Sequence, residues 1–225
     1  MIKRVYHGSK NRIEQPIYGY GKTYNDYGIG FYCTESLDMA KEWAVDIDSD
    51  GFANKYDLNM DGLSILDLNS TSYCMLHWLT ILIQNREFDT PSIIAKEAKD
   101  YLIKNFSINY SKYDVIIGYR ADDSYFSFAL DFITGTISYR QLCNAMHLGK
   151  LGKQIVLKSK KAFNQIKFID SEIARSDEWF AKKQIRRRNA KHDYFNVEKN
   201  KRRKDDIFIT QIIDEEMKAN DERLR

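Results

Sequence analysis

The stretch GIGFYCTESLDMAKEWA, residues 28–44, carries the clearest local signal in the chain. Two glycines lead into an apolar segment at 30–34, which predicts a short strand. From 35 to 46 the apolar residues recur at helical spacing, at Leu37, Ala40, Trp43 and Ala44. This spacing predicts an amphipathic helix, and Thr34 is placed to cap its amino end. The segment therefore predicts a strand that passes directly into a helix.

Patterns of the same kind predict the elements on either side of this segment. Strands are predicted at 2–6, 54–58, 63–68, 114–119, 154–158 and 162–169. Helices are predicted at 72–84, 92–106, 124–133 and 138–147. Asp61 and Gly62, between two predicted strands, indicate a hairpin turn. Strands and helices that mix without regular alternation favour an α+β fold over a doubly wound parallel sheet.

The composition is that of an ordinary globular protein. The 225 residues are 43% hydrophobic and 30% charged, with a formal net charge of only +3. Cys33, Cys74 and Cys143 are far apart and form no C-x-x-C pair, which argues against a disulfide framework or a zinc site. The amino terminus lacks the apolar core of a signal peptide, and no apolar run approaches the roughly 20 residues that cross a bilayer. We therefore expect a cytoplasmic protein that has no membrane segment and binds no metal.

The composition changes near Arg175. Between 182 and 204 lysines and arginines dominate, and only Asp193 and Glu198 oppose them. We predict a globular domain at 1–170 and a basic helical extension at 175–225. The segment 182–204 could contact nucleic acid, with aromatic residues nearby for stacking, or form a charged helix face that docks on a protein partner.

Three short motifs at distant places in the chain contain residues able to carry chemistry. They are His7-Gly8-Ser9 after the first predicted strand, Gly28-x-Gly30-Phe31-Tyr32 leading into the second, and Gln154-x-Val156-Leu157 at the start of a later one. The second motif is not a Rossmann fingerprint, because its third glycine is missing and a strand follows where a helix should. Each motif alone is common, so the information lies in their combination and order.

In this order the motifs resemble those of the ADP-ribosyltransferase superfamily, in the branch whose core contributes a histidine, a tyrosine and an acidic or amide residue. Poly(ADP-ribose) polymerases are its familiar members. The resemblance covers about residues 2–170. It implies a split β-sandwich core with flanking helices, to which this chain adds its charged helical C-terminal extension.

A closer resemblance rests on three longer segments. They are 28–44, YDVIIGYRADDSYF at 113–126 and LGKQIVLKS at 151–159. Together they resemble an uncharacterised bacterial family that is assigned the same fold. Its members are often encoded beside a small partner protein, as toxins are beside antitoxins. The resemblance therefore implies a bacterial toxin with a small antitoxin-like partner.

The resemblance also implies a site for NAD⁺, bound as a substrate. The implied NAD-binding set is His7, Gly8, Ser9, Gly30, Phe31 and Tyr32. Backbone groups of Gly8 would bind the carboxamide of nicotinamide, where a β-carbon would block close approach. His7 would hydrogen-bond the adenosine-side ribose, and Ser9 the nicotinamide amide. Tyr32 would stack on the nicotinamide ring, an interaction worth about 0.5–1.5 kcal/mol beyond area burial.

The implied catalytic residues are Gln154, His7 and Tyr32. Cleavage of NAD⁺ develops positive charge on the ribose, and a nearby acceptor oxygen stabilises that charge. A glutamate does this best, whereas Gln154 keeps the oxygen, lacks the charge and cannot act as a general base. This departure from the family pattern favours a single transfer of ADP-ribose over chain elongation. NAD⁺ glycohydrolysis, in which water replaces the acceptor, is a variant of the same reaction.

A second polar group follows the predicted strand at 114–119. Arg120, Asp122 and Asp123 are candidates for the acceptor side of the site, where a carboxylate could deprotonate the acceptor nucleophile. The alternative is a capped turn, with one aspartate starting the next helix and Arg120 paired to the other. The acceptor itself, protein, nucleic acid or small molecule, stays open at the level of sequence.

Two further hypotheses compete with an NAD-dependent mono-ADP-ribosyltransferase. The bases at 182–204 would suit a nucleic-acid-binding or ribonuclease-type toxin that needs no NAD⁺. Gln154, in place of an acidic residue, would suit a catalytically inactive ADP-ribosyltransferase fold that is used only for binding.

Overall fold

The strands lie in one mixed sheet. The computed structural model describes residues 1–87, 90, 92–121, 123–150 and 152–225. Within these ranges the strands are β1 (Ile2–Ser9), β2 (Phe31–Thr34), β3 (Gly51–Asn59), β4 (Ile65–Asp67), β5 (Val115–Tyr119), β6 (Lys153–Leu157) and β7 (Ile166–Ala174). Their order in the sheet is β4-β5-β6-β2-β1-β3-β7. In this part of the chain the β4–β5 pair is parallel and the other neighbours are antiparallel.

The helices follow the predicted pattern closely. Those of the described residues are α1 (Leu37–Ala44), α2 (Met75–Asn85), α3 (Ile93–Phe106), α4 (Asp123–Ile133), α5 (Tyr139–Ala145), α6 (Lys160–Asn164), α7 (Ser176–Asn196) and α8 (Ile209–Asp214). Short 3₁₀ turns lie at Tyr110–Lys112, Leu148–Lys150, Glu198–Asn200 and Glu222–Leu224. None of these helices is long and apolar enough to span a membrane. The predicted α+β class is confirmed.

The sheet is nearly divided between β1 and β2. These strands pair at one position, Tyr6 opposite Thr34, whereas β1 pairs with β3 along its whole length. Because β1 and β2 are antiparallel, the carboxyl end of β1 and the amino end of β2 lie side by side beyond that pair. Two of the three sequence motifs therefore meet at this gap.

The two faces of the sheet pack into separate cores. In β6, Val156 belongs to the larger core, while Ile155 and Leu157 belong to the smaller one, as the alternation of a strand requires. The larger core contains α2, whose Leu76 and Leu79 have no exposed surface. The prediction of a helix at 72–84 is confirmed, with bounds of 75–85.

The hairpin predicted around Asp61 and Gly62 is wrong. The turn exists, with Gly62 at a φ of 71°, but the strands that flank it do not pair with each other. Both edges of β3 are occupied, by β1 and β7, and β4 instead pairs with β5. Turn chemistry is local, whereas strand pairing depends on which edges the rest of the sheet leaves open.

Two further boundaries differ from the prediction. The strand expected at 162–169 is the short helix α6 followed by β7, and Ser159 caps α6 by accepting a hydrogen bond from the Ala162 amide at 3.2 Å. The cap of α1 is Ser36, which accepts from the Met39 amide, and not Thr34. Thr34 stays in β2, and its hydroxyl oxygen accepts from the Ser36 amide at 3.2 Å.

The C-terminal segment packs into the larger core. β7 runs across the boundary predicted at 170 and ends at Ala174. In α7 the ring of Tyr194 stacks on Phe128 with centroids 3.8 Å apart, and its hydroxyl donates to Asp131 at 2.6 Å. Ile209 and Ile212 of α8 are fully buried in the same core. The basic helix is therefore held against the rest of the fold by apolar contacts as well as polar ones.

Candidate functional site

A cavity of about 980 Å³ opens at the gap between β1 and β2. Its lining includes all the residues to which the resemblance assigns NAD binding or catalysis: His7, Gly8, Ser9, Gly30, Phe31, Tyr32 and Gln154. A volume of this size is at the upper end of the roughly 300–1,000 Å³ of ligand-binding sites. The split in the sheet thus brings together three motifs that are distant in the chain.

His7 bridges the gap through its ring. The Nδ1 atom lies 2.7 Å from the Tyr32 carbonyl oxygen, and the ring stacks on Phe31 with centroids 4.4 Å apart and planes 29° apart. A carbonyl can only accept, so Nδ1 carries the proton and Nε2 of the neutral ring is an acceptor. Burial lowers the pKa of His7, which keeps the ring in this neutral form. The site therefore presents an uncharged acceptor at His7.

Tyr32 is held by its hydroxyl group. The hydroxyl donates to the Gly28 carbonyl at 2.6 Å and accepts from the Tyr27 amide at 3.1 Å. Burial raises the pKa of Tyr32, so the hydroxyl stays protonated and does not serve as a base. These bonds fix the ring against the glycine-containing turn that precedes β2, which suits a stacking surface better than a proton-transfer group.

Gly8 is required by the packing of α1. A β-carbon at this position would lie 2.0 Å from the Ala40 carbonyl oxygen and 2.7 Å from Cβ of Trp43. Such contacts are far below van der Waals distance, so only glycine allows the helix to approach β1 this closely. Sequence reasoning attributed Gly8 to ligand approach alone, and the structure adds a packing reason.

Asn54 fixes the chain that follows His7. It is completely buried in β3, and its Nδ2 donates to the Ser9 hydroxyl at 3.1 Å and to the Asn11 carbonyl at 3.2 Å. Its Oδ1 accepts from the Ile13 amide at 3.0 Å. The Ser9 hydroxyl in turn donates to the Asn11 carbonyl at 2.5 Å. Sequence analysis missed Asn54, because a polar residue in a predicted strand carries no signal of its partners.

Gln154 contributes an acceptor atom without a partner. Only 6% of the residue is exposed, and it lies in β6 between Thr34 of β2 and Gly118 of β5. Among the described residues its Oε1 accepts no hydrogen bond, and Nε1 of Trp43 makes none either. An unsatisfied buried polar atom costs about 1–3 kcal/mol. A ligand that donates to Gln154 and accepts from Trp43 would recover that free energy.

Among the described residues, the charges that line the cavity are mostly positive. The cationic residues are Lys22, Arg86, Arg120 and Arg187. In the described part of the chain one carboxylate, Asp26, also lines it, and this group accepts from the Ala121 amide at 2.8 Å and from Arg86 at 3.3 Å. The cavity is therefore suited to a ligand that carries negative charge.

Of the three residues predicted for the acceptor side, Arg120 is the one that the described part of the structure places at the cavity. Arg120 lines the cavity, with its guanidinium 4.5 Å from the centre of the Trp43 ring. Asp122 lies outside the described residues, and Asp123 is the first residue of α4, with its side chain also outside the described part. In the described part of the chain no three His, Cys, Asp or Glu side chains form a group that could hold a metal ion.

Trp43 and Arg187 are two cavity residues that sequence reasoning did not assign to the site. Trp43 shares the helical spacing of the buried face of α1, which predicts packing and gives no indication of a ligand. Arg187 lies in the basic run at 182–204, where nothing in the sequence distinguishes one lysine or arginine from another. Its place in the cavity follows from the rotation of α7 about its axis.

Comparison with known proteins gives one family. A family model described as "Protein of unknown function (DUF3990)" matches residues 3–168. The match contains all three motifs and ends before α7, so Arg187 lies beyond it. No curated protein and no solved structure matches the chain.

Proposed function

The chain belongs to the DUF3990 family, whose description assigns no function, and we propose that it is an NAD-dependent mono-ADP-ribosyltransferase. The observation that carries the proposal is Oε1 of Gln154, which has no hydrogen-bond partner among the described residues and lies in the cavity that His7 and Tyr32 also line. A macromolecular acceptor and a toxin held in check by a small partner are parts of the proposal that rest on the family resemblance.

The three residues have distinct roles in the proposed reaction. Tyr32 supports the nicotinamide ring by stacking, and Nε2 of His7 accepts a hydrogen bond from a ribose hydroxyl. The bond between nicotinamide and the ribose breaks, its electron pair leaves with nicotinamide, and the ribose becomes oxocarbenium-like. Oε1 of Gln154 accepts from a ribose hydroxyl and stabilises the developing positive charge.

The second half of the reaction forms the new bond. A lone pair on an acceptor nitrogen or oxygen attacks the same ribose carbon, and the acceptor then loses its proton to water. Gln154 has no charge and cannot take that proton, which supports one transfer per acceptor rather than elongation to a polymer. Where water is the nucleophile, the same steps release free ADP-ribose.

Labelled NAD⁺ tests the proposal directly. The full-length chain is incubated with NAD⁺ labelled in the adenine ring and a bacterial extract, while nicotinamide release and macromolecular label are followed together. We expect both signals, with the label in one class of acceptor. Nicotinamide release without label would restrict the activity to glycohydrolysis. If neither signal is seen and NAD⁺ fails to bind in calorimetry, the transferase proposal is wrong.

The pH dependence of NAD⁺ binding tests the role of His7. Affinity should stay constant as the pH falls from about 8 to about 6.5, and should weaken below that, where protonation removes the Nε2 acceptor. The direction follows from burial, which lowers the pKa of His7 below its ordinary value. By linkage the unfolded chain takes up the proton first, so His7 also reduces stability as the pH falls below about 6.5.

Calorimetry across this pH range, with the His7 ring followed by NMR, checks the expectation. A His7→Gln variant keeps an uncharged polar side chain and should lack the acid-side fall in affinity. An affinity for NAD⁺ that already declines above about pH 6.5 would contradict the assignment.

A further inference from the structure

We propose that Arg187 of α7, together with Arg120, binds the diphosphate of a nucleotide, so that the C-terminal helix completes the substrate cleft. Identifying that nucleotide as NAD⁺ rests on the proposed function, whereas the diphosphate site itself does not. The family match ends at residue 168 and assigns nothing to α7.

The position of α7 is set by polar contacts with α1 and the residues that follow it. Arg186 donates to Glu42 at 2.7 Å, with 14% and 10% of the two side chains exposed. Lys183 donates to the Val45 carbonyl at 3.0 Å, one turn earlier in the helix. At the start of α7 the Ser176 hydroxyl donates to the Asp46 carbonyl at 2.6 Å. Arg187 is thus presented to the cavity by an anchored helix.

Arg120 reaches the cavity from the end of β5 and not from α7. It follows the end of β5, and its guanidinium stacks over the Trp43 ring at 4.5 Å. The guanidinium Nη1 lies 3.5 Å from the sulfur of Met39. Stacking of this kind holds an arginine plane in one orientation while its N–H groups remain able to donate at the edge.

Arg120 and Arg187 both lie close enough to Lys183 to interact with it electrostatically. The pKa of Lys183 is lowered by burial first and then by the charges of Arg187 and Arg120, while Asp46 and Glu42 act in the opposite direction. The two guanidinium groups are therefore close enough to this lysine for mutual repulsion. A diphosphate would place negative charge beside these cations, and the planar N–H fork of an arginine matches the geometry of phosphate oxygens.

The corner formed by Arg120 and Trp43 lies next to the proposed nicotinamide site. Trp43 packs against Gly8, and its Nε1 is buried without a partner among the described residues. In a dinucleotide such as NAD⁺ one ribose separates nicotinamide from the diphosphate. An NAD⁺ molecule whose nicotinamide is held at Gly8 and Tyr32 can therefore place its diphosphate at this corner.

Binding of ADP to the full-length chain tests the site without any catalytic step. We expect Arg187→Ala to weaken ADP binding roughly 10- to 100-fold, the range for losing a charge-assisted hydrogen bond. Arg187→Lys keeps the charge and loses the planar N–H fork, and its affinity for ADP should lie between those of Arg187→Ala and the wild type. Adenosine, which has no phosphate, should bind the wild type and Arg187→Ala equally.

Arg188→Ala is the matched control, because it removes the same charge from the next residue of α7, which is exposed. Thermal unfolding of each variant shows whether the fold is retained. Arg187→Gln replaces Arg187→Ala if the loss of side-chain packing makes the alanine variant unstable. An ADP affinity that is equal in wild type, Arg187→Ala and Arg187→Gln would overturn the proposal. So would an equal loss in Arg188→Ala, since it would indicate a general charge effect.

The outcomes separate this inference from the proposed function. If ADP binds in an Arg187-dependent manner and no ADP-ribose is transferred, the diphosphate site stands and the transferase proposal fails. If transfer occurs and Arg187→Ala changes only its rate, with ADP affinity intact, the diphosphate assignment is wrong and the transferase proposal stands.

Discussion

Gln154→Ala is expected to lower the rate of ADP-ribose transfer by about 10²-fold or more, the range for losing one preorganised electrostatic contact to a transition state. NAD⁺ affinity should change much less, because the positive charge on the ribose develops only as the bond to nicotinamide breaks. Oε1 of Gln154 is buried and has no partner among the described residues, which leaves it available to a bound substrate. Initial rates of nicotinamide release, with NAD⁺ affinity measured separately, check both parts.

Two further variants make the Gln154 result specific. Lys153→Ala changes the preceding residue of β6, which is exposed, and should leave transfer unchanged. Gln154→Glu restores the charge that a glutamate would supply and should raise the rate of bond cleavage above that of the wild type. Unchanged turnover in Gln154→Ala would show that the third motif has been assigned to the wrong residue.

Gly8→Ala is expected to cost more than about 3 kcal/mol of folding free energy, beyond the usual cost of an overpacked core. The added β-carbon would meet the Ala40 carbonyl oxygen at 2.0 Å, and the backbone of α1 cannot move without disturbing Trp43 and the adjoining cavity. Urea denaturation measures the loss of stability. NAD⁺ binding should fall as well, since α1 and β1 both line the cleft.

Gly19→Ala is the control for Gly8→Ala. No atom lies within 4 Å of a β-carbon at Gly19, but its φ of 80° is in the left-handed region. An alanine there should cost only the backbone penalty of about 1–2 kcal/mol. If Gly8→Ala were as stable as Gly19→Ala, the close approach of α1 to β1 would be contradicted.

Most of the helices and strands could be predicted from sequence, because hydrophobic periodicity is a property of neighbouring residues. The buried helix α2 and the buried strand β5 were placed within a few residues of their observed bounds. The main failure concerns pairing: the predicted hairpin partners β3 and β4 lie at different places in the sheet. Pairing is decided by competition among all the strands, which no local pattern contains.

The residues of the candidate site could likewise be predicted only in part from the sequence. His7, Tyr32 and Gln154 could be named before the structure because three motifs occur in a recognisable order. Asn54 and Arg187 could not be named in advance. Asn54 is one polar residue in a strand, and Arg187 is one base in a basic run, so neither has a distinctive signal in the sequence. Their partners, the chain after His7 and the wall of the cavity, lie far away in sequence.

The sequence by itself determined most of the segments that form helices and strands, because short-range spacing is enough for that, and the resemblance of three motifs to a known family indicated the candidate site residues. Only the tertiary structure decided that β1 and β2 part after one residue pair, and that α7 turns Arg187 toward the resulting cavity. The reason is physical. A split in a sheet and the rotation of a helix are set by the packing of side chains from distant parts of the chain, such as Tyr194 against Phe128.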